Sequence, residues 1–75
     1  MKKNLILFNS MTSAMKSREV LKKQGIFSRI IKTPAEFRKR SCGYSLLVNK
    51  DMERAVDIIK ANKIQFVGVA ATDLR

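Results

Sequence analysis

Histidine is absent from this chain, and cysteine occurs once, at position 42. The first absence removes histidine-based nucleophilic triads and the commonest protein ligand for transition metals. The second removes an internal disulfide and any pair of thiolate ligands, so neither a metal site nor a disulfide framework is expected. A small secreted domain would usually carry several cysteines, and a reducing, cytoplasmic setting is therefore expected. Glycine is scarce as well: Gly25, Gly43 and Gly68 stand alone, so no phosphate-cradling loop is present. No apolar run approaches the roughly 18 residues of a membrane span. Met1-Lys2-Lys3 before Leu5-Ile6-Leu7-Phe8 has the outline of a signal peptide. The run stops at Asn9 without a small-residue cleavage site, and no such peptide is expected. Acidic residues number only six and are scattered. Asp51 and Glu53, the two closest, suit the start of a helix. Nothing in this inventory calls for a cofactor.

What remains is a basic chain of 75 residues, 45% hydrophobic, with a formal net charge of +10. That length makes one domain, residues 1–75, burying about 60% of the surface that its unfolded chain exposes. There is little room for a deep internal active site. The charge is uneven, because the first 40 residues carry eleven of the sixteen Lys and Arg and only Glu19 and Glu36 against them. Such asymmetry fits an anionic partner, a nucleic acid or an acidic protein, and it equally fits a solvated basic surface.

Asn4 to Phe8 reads as a buried strand. Ser10, Thr12 and Ser13 are candidate N-caps for a helix over about 12–24, with Ala14, Ser17, Arg18 and Leu21 on one face and Gly25 at its C-terminal end. A second strand is predicted over Ile26–Lys32, with Ile26, Ser28, Ile30 and Lys32 on one side and Phe27, Arg29 and Ile31 on the other. Thr33-Pro34 ends it. Ala35 to Ser41 reads as a polar, cationic loop or a short helical turn, and Tyr44–Val48 as a third strand. Asn49 or Asp51 can cap a second helix reaching about Asn62, whose Met52, Ala55, Val56 and Ile59 fall at helical spacing beside Ile58. Ile64–Ala70 reads as a fourth strand. The order β-α-β-β-α-β predicts an α+β ferredoxin-like sandwich, two helices on one face of a four-stranded antiparallel sheet, with the first and third strands central. Leu5, Leu7 and Phe8 would leave the first strand apolar on both sides, and a homodimer through the free sheet face is one reading of that pattern.

A basic domain of this fold invites comparison with RNA-recognition motifs, which stack bases on aromatics of the two central strands. Here Ile6, Cys42 and Leu47 stand at such positions, and only Arg40, Gly43 and Tyr44 fit the third-strand pattern. Any nucleic-acid binding is therefore expected to be electrostatic and non-specific.

Cys42 has two readings. Cysteine is often a small buried hydrophobe. Yet Cys42 precedes a strand and follows Arg38, Lys39 and Arg40, cations that favour a nucleophilic thiolate. It is followed by Gly43, which offers no side chain to shield the sulfur.

Four further segments carry a likeness to a known family. They are the opening apolar strand leading into a helix with Ala14, the junction Leu21-Lys22-Lys23-Gln24-Gly25-Ile26, the pair Thr33-Pro34, and Ser41-Cys42-Gly43 before the third strand. In these the chain resembles a family of short bacterial proteins named putative selenium/sulfur carrier-like. Arg40 stands where similar members place a small or polar residue. The resemblance implies a carrier rather than an enzyme outright. Cys42 would be the carrier thiol, holding sulfur or selenium between a donor of the cysteine desulfurase kind and an acceptor. Arg38, Lys39 and Arg40 would stabilise its anion, and Gly43 would keep the approach open. The competing expectation is a small basic binding module for nucleic acid or an acidic protein, without covalent chemistry.

Overall fold

The computed structural model describes residues 4–40, 43–48 and 50–71, with the side chains of 38–40 outside the described set. Its elements are β1 (Leu5–Phe8), α1 (Met11–Lys23), β2 (Ser28–Lys32), a 3-10 helix (Ala35–Arg40), β3 (Tyr44–Val48), α2 (Met52–Ala61) and β4 (Gly68–Ala70). The strands form one antiparallel sheet in the order β2-β3-β1-β4, so β1 and β3 are central. This is the α+β ferredoxin-like arrangement that the residue pattern predicts. No helix among the described residues is long and apolar enough to cross a membrane.

All four residues of β1 are fully buried. Side chains alternate across a strand, and the two faces separate accordingly. Ile6 and Phe8 join Ala14, Leu21, Leu46, Ala55 and Ile59 in the main core. Leu5 and Leu7 join Ala70 on the other side, with Ile31, Phe37, Leu47 and Val67 packed against them. Leu5 and Leu7 are thus covered within the chain itself. Phe37, on the 3-10 helix, supplies part of the cover, so the stretch read as a polar loop or short helical turn is a helical turn anchored by an apolar residue.

The helices begin differently and end alike. At α1, Ser10 is extended (φ −145°, ψ 149°) and its hydroxyl accepts the Ser13 N–H at 3.1 Å, satisfying one of the helix's orphan donors. Asp51 holds the same position before α2, but with φ 57° and ψ 42° it makes no side-chain cap, correcting the capping expected of it; the other candidate, Asn49, lies outside the described residues. Both C-termini close with a Schellman motif. After α1, Ile26 N–H reaches Leu21 O (2.9 Å) and Gly25 N–H reaches Lys22 O (3.0 Å). After α2, Ile64 N–H reaches Ile59 O (3.1 Å) and Lys63 N–H reaches Lys60 O (3.0 Å). The left-handed residue between them is Gly25 (φ 79°) in one case and Lys63 (φ 58°) in the other.

These closures explain why two strands are shorter than predicted. Ile26 and Ile64 spend their N–H groups on the helices behind them, so β2 begins at Ser28 rather than Ile26. β4 shrinks further, to Gly68–Ala70, because its only partner runs out: Leu7 pairs with Gly68, Val67 still donates to Leu7 O at 2.7 Å, and beyond Phe8 the chain leaves the sheet for α1. On α1 the buried stripe is Ala14, Ser17 and Leu21, while Arg18 is exposed rather than part of that face. Two buried hydroxyls, Ser17 on α1 and Ser28 on β2, have no hydrogen-bond partner among the described residues.

The paired helix ends generate a test. A non-glycine residue at left-handed φ costs about 1–2 kcal/mol. Lys63→Gly relieves that cost, partly offset by glycine's looser unfolded chain, and is expected to stabilise the protein by about 0.5–1 kcal/mol. Gly25→Ala should destabilise it by about 1 kcal/mol. A Cβ at Gly25 would meet nothing within 4 Å, so that loss is conformational and not steric. Urea unfolding curves with unchanged slope would show opposite shifts of midpoint for the two variants.

Candidate functional site

Ser41 and Cys42 lie outside the described residues, and the site is built from what brackets them. On one side, Thr33 and Pro34 end β2, and the 3-10 helix starts at once, with Phe37 N–H donating to Pro34 O at 2.9 Å. The backbone of Arg38, Lys39 and Arg40 forms the last half of that helix, held by Phe37 against the Leu5 and Leu7 cluster. On the other side, Gly43 leads into β3.

The two brackets are bonded to each other. Thr33 N–H donates to Gly43 O at 2.8 Å, extending the β2–β3 ladder one step past Lys32 and Tyr44. The Thr33 and Ser45 hydroxyls hydrogen-bond at 2.6 Å, both buried. The chain therefore leaves the sheet after Thr33 and returns at Gly43, beside its own starting point. Thr33 of the Thr33-Pro34 pair and Gly43 of the Ser41-Cys42-Gly43 motif are thus hydrogen-bonded neighbours.

Gly43 has φ +109°, a conformation that L side chains rarely adopt, and a Cβ built there would meet nothing within 4 Å. The glycine is required by the backbone and not by crowding, and the space beside it is open. Phe8 pairs with Tyr44, so β1 leaves the sheet toward the N-terminus of α1 at the same end where Gly43 enters. Tyr44, the one aromatic fitting the RNA-recognition comparison, pairs with Lys32 on its other side and is 37% exposed.

Two residues escaped the reading of the sequence. Phe37 sits between Glu36 and Arg38 and looks solvated, although its place three residues after Pro34 is the signal of a turn that can fold back. Thr33 was read only as the end of a strand, whereas its hydroxyl is a buried partner of Ser45. A Thr and a Ser on adjacent strands could have been paired once the register was set.

Thr33→Val and Ser45→Ala each remove the same hydroxyl–hydroxyl bond, and each is expected to cost about 1–2 kcal/mol. The double variant should cost less than the two combined, with a coupling of about 1 kcal/mol. A double-mutant cycle by chemical denaturation measures this, and strict additivity would show that the bond contributes nothing.

Neither a curated protein nor a solved structure matches the chain. Residues 3–70 match the family described as Putative Se/S carrier protein-like. The matched span holds the chain's only cysteine together with the Thr33–Gly43 frame around it, and the chain belongs to the Putative Se/S carrier protein-like family.

Proposed function

We propose that this domain carries a terminal sulfur or selenium atom on Cys42. The observation behind this reading is that a family named for Se/S carriage matches nearly the whole chain, in which Cys42 is the only thiol. In the transfer, the Cys42 thiolate attacks the outer sulfur of a persulfide on a donor protein. A bond forms between Sγ and that sulfur, the donor's own S–S bond breaks, and the donor departs as a thiolate. The outer atom keeps its proton and its oxidation level, so no oxidant is consumed. Hand-over is the same displacement with an acceptor nucleophile, and Sγ is then the leaving group. Selenium follows the same course through a selenosulfide.

Several features support this reading. Three cations within four residues of the thiol favour its anion and speed both attack and departure. The open ground beside Gly43 lets a second protein approach. The Thr33–Gly43 bond and the buried Thr33–Ser45 pair hold the frame of the turn still. A cytoplasmic setting, where thiols stay reduced, would suit such a carrier.

Wild-type protein incubated with a cysteine desulfurase and cysteine is expected to gain the mass of one sulfur, removable by reductant, and Cys42→Ser to gain none. At an exposed site the substitution should shift stability by no more than about 0.5 kcal/mol. A buried thiol would instead show as a loss of about 1–3 kcal/mol. Alkylation of the wild type should reach half its plateau rate below about pH 8.5, the value of an unperturbed thiol. A wild type that stays unmodified with every donor, or a thiol that does not label in the folded protein, would overturn the carrier.

A further inference from the structure

Phe27 is the most exposed large apolar side chain among the described residues, at 75%. The backbone forces it outward. Ile26 is the buried closing residue of α1's Schellman motif, Ser28 is buried at 5% exposure on the next pleat, and alternation leaves Phe27 on the opposite side of the chain from both. Arg29, two residues on, lies on the same side and is exposed. Arg18, from α1, completes the surroundings. Arg18, Phe27, Ser28, Arg29 and Ile30 line an open depression of about 290 Å³ at β2, the edge strand of the sheet. No carboxylate among the described residues lines it.

We infer that this edge is a binding site for single-stranded nucleic acid, with a base stacked on the Phe27 ring and backbone phosphates held by Arg18 and Arg29. Charge complementarity selects a polyanion for a chain of net charge +10. The exposed ring selects a polyanion with flat faces, since aromatic stacking beside a cationic track is how single strands are held without sequence preference. A duplex keeps its bases stacked on each other and cannot offer one to Phe27. The site is not the surface used by RNA-recognition motifs, where Ile6 and Leu47 stand in place of aromatics. It lies about 20 Å along the chain from Thr33, at a rise of roughly 3.3 Å per residue, and so stands apart from the Thr33–Gly43 bond.

Fluorescence anisotropy of a labelled uridine oligomer about a dozen nucleotides long, titrated with the full chain at several salt concentrations, tests the assignment. Phe27→Ala is expected to weaken binding about fivefold or more with little change in salt dependence. Phe27→Trp should retain affinity, and its emission should be quenched by the stacked base. Replacing both Arg18 and Arg29 by Gln should flatten the slope of log affinity against log salt by about 1.4, two phosphate contacts at roughly 0.7 each. Cys42→Ser should bind like the wild type, so this result and the sulfur-loading result stand independently. Unchanged affinity in Phe27→Ala, a duplex bound as tightly as the single strand, or an unquenched Phe27→Trp would overturn the assignment. If poly-glutamate bound as tightly as the oligomer and lost as much with Phe27→Ala, the edge would be a docking site for an acidic protein instead.

Discussion

The structure depends on one strand being buried on both faces. β1 pairs with β3 on one edge and β4 on the other, and none of its four side chains reaches solvent. Fully burying a large aliphatic or aromatic side chain is worth about 1.5–3 kcal/mol. Net stabilities of small domains are only about 5–15 kcal/mol, so four such residues in succession weigh heavily in so short a chain. The constraint reaches outward from there. The helices must cover Ile6 and Phe8, which fixes the small residues Ala14 and Ala55 on their inner faces. Something must also cover Leu5 and Leu7, and the connection from β2 to β3 supplies Phe37 for the purpose. The turn that carries Arg38 to Arg40 toward Cys42 is held in place by a requirement of the core.

The two halves solve the same problem in the same way. Each runs strand, helix, Schellman closure, and a chain of which the first residue is locked to the helix behind it. Leu21 and Ile26 in one half correspond to Ile59 and Ile64 in the other, joined in each case by a bond from the closing N–H to the carbonyl five residues earlier. The junction Leu21-Lys22-Lys23-Gln24-Gly25-Ile26 thus has a physical meaning. Leucine and isoleucine are the two apolar members of a helix stop, and glycine is the residue that turns left between them. The second half makes the same turn with Lys63, which has lysine's reach but none of glycine's conformational ease.

This symmetry also marks how far the residue pattern could be read. Element order, the central place of β1 and β3, and the apolar faces of both helices were legible, because each rests on periodicity that tertiary packing reinforces. Strand lengths were not. Apolar alternation runs smoothly through Ile26-Phe27 and Ile64-Gln65-Phe66, but an N–H already bonded to a helix carbonyl cannot join a ladder, and alternation does not record that. The cap at Asp51 was misjudged for a related reason: the residue type was right, while its side chain could reach the helix only from an extended backbone. Around the candidate thiol, the cations, Gly43 and the cysteine were visible as a string. Their closure by Thr33 and Ser45 needed the β2–β3 register, which no short motif carries.

β2 is the element that this closure makes important, because its two ends are fixed by different means. At its start, the helix stop buries Ile26 and drives Phe27 out. At its finish, Thr33 is buried and the chain swings away through the cationic turn before returning at Gly43. This edge strand therefore has Phe27 and Arg29 at its start, near Arg18 of α1, and the Thr33–Gly43 bond at its finish. The first 40 residues, which build both ends, hold most of the chain's positive charge. Long-range attraction of an anionic partner raises encounter rates without requiring a large interface. A carrier has to let go of one partner before it meets the next, and fast encounter with few contacts serves that turnover better than tight packing. For a carrier of the kind proposed, in a domain this small with its apolar side chains committed to both faces of β1, charge would be a means of recruitment that does not compete with the core.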